Sequence, residues 1–491
     1  MEIFGLVIVG VYILLVAFVA LYSLAQLHLL WTYLKHQFKS ITAPVILTFP
    51  DVTIQLPIYN ELYVVERLID TVCAIDYPIH KLEIQVIDDS DDETSSLIAS
   101  KVEFYQKKGY AIKHLRRKTR NGYKAGALSE ATRQARGEYI AIFDADFLPQ
   151  SDFLFSTIPY FNDKQIGVVQ TRWGHINPGY SILTKVQGFA LDAHFSIEQT
   201  GRNKANHFIN FNGTAGIWRK VCIEDAGGWQ SDTLTEDLDL SYRAQLKGWK
   251  FKYLEHIQSP AELPVTMPAI KSQQYRWSKG AAEVSRKLLW RVIRSDIPFM
   301  TKFHAIFHLL NSFVYIPIFF IALMSVPVLC LKNRNEQINS LLNYTAIFLI
   351  SMIILGLVYF AARYKREQKS NWIITLEFLY LFPSFLSLSM GLALHNSIAV
   401  LQGYFGKKSS FVRTPKFNIN ENTDSWKGNK YVLYKLDFTA IIELLMALYF
   451  VFALYKAIEL NDYSLFYFHL LQCMGYCLVF YYSMIHSKNR S

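Results

Sequence analysis

Charge is spread along this chain in a way few folds tolerate. Residues 3 to 34 contain no Asp, Glu, Lys or Arg, residues 35 to 302 carry mixed charges and ordinary turns, and beyond about 303 the chain turns apolar again with short basic interruptions. A bilayer span needs roughly 20 mostly apolar residues. Both ends therefore read as membrane segments around one soluble domain, and 491 residues leave room for both. The first run is too long for a signal-peptide core and lacks a basic leader and a small-residue cleavage site, so it reads as a retained helix.

The expected organisation is an N-terminal transmembrane helix over 1–34, a soluble domain with an interfacial helix over 35–300, and a C-terminal transmembrane region over 301–491 with a cytoplasmic loop near 404–436. C-terminal spans are expected near 305–330, 344–363, 438–460 and 464–486. The segment 371–403 contains Pro383, His395 and Asn396 and reads as one span, two short ones or a re-entrant pair. Lys35 and Lys39 follow the first span, Lys365, Arg366 and Lys369 follow another, and Lys407, Lys408, Arg413 and Lys416 form a third patch. Such clusters suit cytoplasmic loops facing anionic lipid. If the last two patches share a side, 371–403 crosses an even number of times, which favours a broken hairpin. The formal charge of +10 is dispersed and accompanied by no recognition module, so no nucleic-acid partner is expected. Cys73, Cys222, Cys330, Cys473 and Cys477 show neither a disulfide framework nor zinc spacing.

Between the membrane segments, β-rich runs at Val52–Ile58, Leu82–Ile87, Ala111–Leu115, Tyr139–Phe143 and Ile166–Gln170 alternate with helical stretches at 61–73, 96–108 and 124–135. Near-continuous apolar strands separated by helices predict a mostly parallel sheet covered on both faces, an α/β domain. In such sheets the functional crevice lies at the strand C-termini. Two acidic clusters fall there, Asp88-Asp89-Ser90-Asp91-Asp92 and Asp144-Ala145-Asp146.

Asp144 and Asp146 alternate at a strand end, an arrangement that holds a hard divalent cation together with a diphosphate. Such an ion neutralises departing phosphates. A carboxylate of the earlier cluster, Asp88 or Asp89, is placed to hydrogen-bond a nucleotide's base or ribose; a solvated acidic turn is the plainer reading. Lys124 begins a helix, and its charge and the helix N-terminus both attract phosphate. In Thr235-Glu236-Asp237, Asp237 is the candidate base for removing an acceptor hydroxyl proton, with Glu236 orienting the loop and Asp239 structural. The segment reads equally as an acidic helix start capped by Thr235. In Gln273-Gln274-Tyr275-Arg276-Trp277, Gln273 and Arg276 suit a diphosphate and Trp277 a sugar face; a membrane-interface Trp with a snorkelling Arg fits the same residues. Tyr275 to Arg294 interleaves Arg and Lys with Trp and Leu, as an interfacial or surface helix does.

Taken in series, these motifs resemble family 2 glycosyltransferases of the processive membrane class, the cellulose synthase and cellulose-synthase-like mannan or glucan synthase family. The family places an aspartate at the nucleotide (here Asp88 or Asp89), a DxD at the metal (Asp144, Asp146), a TED-type aspartate at the chemistry (Asp237) and Q-x-x-R-W near the acceptor (Gln273 to Trp277). Asn121 to Leu128, Gln170-Thr171-Arg172-Trp173 and Phe211 to Gly216 resemble the plant mannan or glucan synthases. That likeness implies an acceptor site at Asn212, Gly213, Thr214 and Trp173. Phe411 to Lys416 resembles a cytoplasmic gating loop, which nominates Phe411, Thr414 and Lys416, although Arg413 stands where the family has Val. The resemblance covers about residues 45 to 300 plus the membrane layout.

It implies a GT-A domain embedded in a multi-pass helical membrane region, and an inverting enzyme dependent on Mg2+ or Mn2+. The donor would be UDP-glucose or GDP-mannose, and the partners a growing β-linked glycan and membrane lipid, with export of the product. The expected setting is a bacterial inner membrane with the catalytic domain cytoplasmic. Ceramide glucosyltransferases share the carboxylate logic and define the alternative, transfer of a single sugar to a lipid.

Overall fold

A computed structural model describes residues 2–36, 44, 48–342, 347–366, 370–421, 423–432 and 438–488. Lys39 and Lys369 lie outside the described residues.

The soluble part is built on a seven-stranded sheet in the order β3-β2-β1-β4-β6-β5-β7. The strands are β1 (Val52–Ile58), β2 (Leu82–Asp88), β3 (Ala111–Arg116), β4 (Tyr139–Ile142), β5 (Ile166–His175), β6 (Gly216–Arg219) and β7 (Lys250–Ala261). β1 pairs in parallel with β2 and β4, β2 with β3, and β5 with β7. β6 alone runs antiparallel, between β4 and β5. The sheet is thus mostly parallel, with its central strands buried along nearly their whole length. Val52, Ile54 and Leu56 pack to one face with the helix Val65–Cys73, while Ile140, Ile142 and Trp218 pack to the other with Leu128 and Phe211. Each such side chain contributes about 1.5–3 kcal/mol by leaving water. Both faces being covered explains why these strands read as unbroken apolar runs.

Among the described residues, five helices are long and apolar enough to cross a membrane: Gly5–His36, Ser312–Lys332, Asn371–Gly391, Thr439–Glu459 and Phe466–Ser487. A shorter apolar helix covers Leu349–Tyr364 within Ile347–Arg366. The span expected at 305–330 begins later, because Phe299–Leu309 is a separate helix whose Thr301, His304 and His308 are buried. The break expected in 371–403 falls at Leu392. The first piece, 21 residues, has spanning length; the second, Ala393–Tyr404, has 12 residues and is about 18 Å long.

The predicted interfacial segment belongs to a 28-residue helix, Met267–Arg294. One face is buried, including Ala281, Val284, Leu288 and Val292, while Trp290 is exposed. Gly403 of the short helix lies against it so closely that a Cβ there would meet the Lys279 carbonyl oxygen at 2.6 Å. Lys271 on this helix pairs with Glu443 of a membrane helix at 2.6 Å, both nearly fully buried. Helix Met267–Arg294 is therefore the joint between the sheet and the apolar helix bundle. Breaking such a buried pair by removing one partner costs about 3–5 kcal/mol.

Candidate active site

The C-terminal ends of β1, β2 and β4 open into a cavity of about 210 Å³. It is closed by the start of helix Glu236–Leu246, by helix Met267–Arg294, and by the irregular segment around 411–416. Of the residues singled out from sequence, Asp89, Lys124, Asp144, Asp146, Trp173, Asn212, Gly213, Glu236, Asp237, Gln273, Arg276, Trp277, Phe411, Thr414 and Lys416 all line it. Asp88 and Thr214 do not line it.

Asp88 is buried beneath the loop it was expected to serve. His114 Nε2 and Ser95 Oγ donate to its Oδ2 at 2.8 and 2.6 Å, and the Ser90 amide donates to Oδ1 at 2.8 Å. Burial alone would raise its pKa, but the hydrogen bonds from His114, Ser95 and Ser90 outweigh that and hold it at about 2. Asp88 organises the loop, and Asp89 beside it faces the cavity, gripped by Arg117 through both carboxylate oxygens. Thr214 is also structural here: its Oγ1 accepts the Asp144 amide at 2.9 Å and so fixes the first carboxylate of the DxD.

Lys124 Nζ donates to Asp144 Oδ1 at 2.5 Å and to the Gly213 carbonyl at 2.9 Å. Burial works against its charge, yet Asp144, Glu236 and Asp237 around it outweigh that and raise its pKa. The turn that delivers Lys124 needs glycine: Gly122 has φ 70°, and a Cβ at Gly126 would stand 2.1 Å from the Asn121 carbonyl oxygen. Lys416 Nζ lies 2.7 Å from Asp146 Oδ2 and also reaches the Glu262 carbonyl. Each DxD carboxylate thus already faces a cation. Both donors are hard oxygens, and Asp144 keeps about a third of its side chain exposed for water or phosphate to approach. That donor set fits Mg2+ or Mn2+.

Asp237 sits in the first turn of helix Glu236–Leu246, whose Thr235 makes no side-chain cap; the Thr235 hydroxyl is buried and unpaired. Thr235 therefore does not cap the helix, while Glu236 and Asp237 do fall in its first turn, as an acidic helix start has them. Asp239, in the same turn, is fully buried between Arg243 and Lys287 at 2.8 and 2.9 Å, which fastens the helix to Met267–Arg294. Burial, then the neighbouring Glu236 carboxylate, push Asp237 up to about 7, against the pull of Lys124. Burial likewise raises Glu236. A carboxyl poised near neutrality is the protonation behaviour a general base needs. Gly213, at φ 78°, lies against it: a Cβ there would approach Asp237 Oδ2 to 3.1 Å.

Among the described residues, several buried donors at the cavity have no partner, Arg276 Nε and Asn212 Nδ2 among them. Arg276 Nη2 donates to Thr414 Oγ1 at 2.7 Å, and its guanidinium lies 4.7 Å over the Phe411 ring. Phe411 stacks on Tyr123 at 5.9 Å. The segment is anchored by Glu262, whose two oxygens accept the Phe417 and Asn418 amides at 2.9 Å each.

Several lining residues escaped the sequence reading, notably Tyr59, Glu61, Arg120 and Glu262. Arg413, noted as a departure from the family pattern, pairs with Glu61 at 2.9 Å. Burial raises Glu61 to about 7 in spite of Arg413. Tyr59-Asn60-Glu61 directly follows β1, so the strand-end rule that marked Asp88 and Asp144 points to it as well.

Trp277 also lines a second cavity, of about 410 Å³, on the membrane side. Gln273 faces the first cavity and Gln274 the second. The second is walled by Tyr22, Gln26, Tyr315, Tyr359 and Phe385 from four apolar helices, and by the π-helical turn His194–Glu198.

Residues 53–225 match the family model Glycosyl transferase family 2. The chain carries a family 2 glycosyl transferase domain. Over 266 residues it is 42% identical to Glucomannan 4-beta-mannosyltransferase 1 of Oryza sativa subsp. japonica, covering 53% of this chain and 51% of that protein. Over 254 residues it is 42% identical to Glucomannan 4-beta-mannosyltransferase 7 of Arabidopsis thaliana, covering 51% and 46%. The chain spans about half the length of the curated relatives it matches. Its fold aligns with a TM-score of 0.55 to a mannosyltransferase from Pyrobaculum calidifontis solved with GDP-Man and Mn2+, at 19% identity, over 82% of this chain and 100% of that one. At that identity the likeness shows the fold, a GT-A-type sheet joined to a multi-pass helical region.

Proposed function

We propose that this chain is an inverting membrane glycosyltransferase that extends a β-linked glycan from a nucleotide sugar and passes the product into its membrane bundle. The observation that carries the reading is Trp277, one ring shared by a charged cavity at the sheet edge and a larger aromatic cavity between apolar helices. A sugar held on Trp277 has the candidate base on one side and a membrane passage on the other. The names of the plant relatives favour mannose, hence GDP-mannose over UDP-glucose, and a 4-linked product.

The chemistry follows from the residues. Asp237, ionised, takes the proton of the acceptor hydroxyl as that oxygen attacks the anomeric carbon from the face opposite the diphosphate. The carbon–oxygen bond to the diphosphate breaks in the same displacement. Arg276, with its spare Nε, and Lys124 grip the phosphates. Asp89 and the loop fixed by Asp88 hold the nucleotide, and Asn212 supplies its unpaired amide to the acceptor. Asp144 and Asp146 would hold a Mg2+ or Mn2+ ion, whose charge would offset that of the diphosphate. Lys416 and Arg413 close the site from above when the 411–416 segment is seated. The basic patch at Lys407, Lys408, Arg413 and Lys416 supports a cytoplasmic catalytic face.

The test is a donor screen. Membranes holding the full chain are given radiolabelled GDP-mannose or UDP-glucose with Mg2+ or Mn2+, and the product is digested with linkage-specific hydrolases. A polymer sensitive to a β-mannanase or β-glucanase is expected. A single labelled sugar on a lipid would replace this reading with the alternative.

A further inference from the structure

Three histidines from three separate parts of the chain meet outside the catalytic cavity. His28 comes from the N-terminal membrane helix, His207 from the turn after helix Gln199–Lys204, and His304 from helix Phe299–Leu309. One nitrogen from each lies within 4.8 Å of the others. His207 and His304 are buried, at 8% and 2% exposure, and their rings stack at 4.5 Å. His28 stacks on His304 at 4.8 Å. Nothing in the transfer chemistry uses them.

Their hydrogen bonding is that of a ligand set. His207 Nδ1 and Thr301 Oγ1 share a hydrogen bond at 3.0 Å, which fixes the ring; when Nδ1 is the donor, the Nε2 lone pair is free. Among the described residues that Nε2 is buried with no partner, a costly state for a buried polar atom. A metal-bound imidazole shows this division, one nitrogen oriented by a neighbour and the other on the ion. His28 Nδ1 and His304 Nε2 face each other at 2.8 Å, so a single proton lies between two ring nitrogens. Replacing that proton by an ion about 2.0–2.1 Å from each nitrogen opens the pair to about 3.3 Å, a shift of a fraction of an ångström. Burial, with His28 and Arg202 nearby, pushes His207 down to about 4; burial, with His207 and Arg202, pushes His304 down to about 3. Arg202 opposes a dication, and Glu198, 3.4 Å from it, offsets that charge.

We propose that His28, His207 and His304 form a structural site for a borderline transition-metal dication, zinc first, with water as fourth ligand. Three imidazoles exclude Mg2+ and Ca2+, which prefer oxygen, and suit Zn2+ or Co2+. The site ties the N-terminal membrane helix to the catalytic domain at a point where the two already touch. At Gly201, one helical stretch before His207, a Cβ would stand 2.7 Å from the Leu29 carbonyl oxygen, so no side chain separates the elements.

The experiment uses the full chain in nanodiscs, stripped with a chelator and reloaded with one equivalent of Zn2+ or Co2+. Elemental analysis after desalting is expected to find about one zinc per chain in the wild type and in Asp146→Asn, which separates this site from the DxD. His207→Ala and His28→Ala are each expected to lose at least nine-tenths of the zinc and the visible bands of four-coordinate cobalt. Zinc is expected to raise Tm in the wild type and leave it unmoved in the variants. His28 is the less buried ligand, so His28→Ala serves if His207→Ala fails to fold. Less than a tenth of an equivalent in the wild type, or zinc retained by the folded variants, would overturn the proposal.

Discussion

The two cavities that share Trp277 are built from opposite materials. On the sheet side, Asp144, Asp146, Glu236 and Asp237 face Lys124, Arg276 and Lys416, so nearly every wall carries a charge. On the membrane side, among the described lining residues, Glu198 and His194 are the acidic and basic groups amid Tyr, Phe, Ser and Gln. Burial would raise Glu198, but Arg202 and His194 outweigh it and hold the carboxyl at about 2. A transferase needs strong fields where charge develops and weak, repeated contacts where a neutral sugar chain slides. Substitutions on the two sides should therefore fail in different ways.

The largest effect is expected on the charged side. Asp237→Asn should lower kcat by about 10²–10⁴-fold, the usual contribution of a positioned base, while calorimetry with the nucleotide shows donor binding within a few-fold of wild type. Near-normal turnover would remove Asp237 from the chemistry. Asp146→Ala comes next: donor binding should lose its dependence on Mg2+ or Mn2+ and weaken by tenfold or more. An unchanged metal response would refute the ligand assignment.

How much of this was legible beforehand follows from the range of the forces involved. The sheet was readable because strands buried on both faces must be apolar throughout; β1, β2 and β4 fall within a residue or two of the predicted runs. β6 was missed, since Gly216–Arg219 is four residues long and its antiparallel place depends on partners far along the chain. Asp144 was legible from its place at a strand end, and Asp237 only from its place in the motif series, because an acidic helix start accounts for it equally well. The difference between Asp88 and Asp89 was not, because it turns on which of two adjacent side chains meets His114 across the sheet. Glu61 and Arg413 lie 352 positions apart and pair only once the membrane helices fold the segment back. The histidine cluster draws one member from each of three distant stretches, so no spacing motif announces it.

Titration sharpens the comparison further. Asp237 is raised to about 7 from an unfolded value near 3.9. The base works ionised, so kcat/KM should rise with pH through a limb near 7. The same shift has the opposite sign for stability. A carboxyl raised by folding favours the native state below its unfolded pKa, and that contribution is lost as pH climbs through about 7. Asp237→Asn should therefore leave Tm at pH 8 unchanged or higher, against the destabilisation a structural residue would show. A limb below pH 5, or a fall in Tm at pH 8, would break the assignment.

The shared ring and the neutral side give smaller, different failures. Trp277→Ala should raise the acceptor KM by about 10–100-fold, the range of one lost aromatic contact of 1–3 kcal/mol, with donor binding little changed. Phe385→Ala, entirely on the membrane side, leaves every charged group in place. Single-turnover transfer to a short soluble acceptor should stay within about twofold, because the reacting atoms sit beyond Trp277. What should change is the distribution of product lengths, since a wall contact that each new sugar must pass has been removed. The assay is gel or chromatographic sizing of labelled product under donor excess. An unchanged distribution with normal transfer would mean the aromatic cavity carries no glycan, and the two cavities would then be neighbours without a common path.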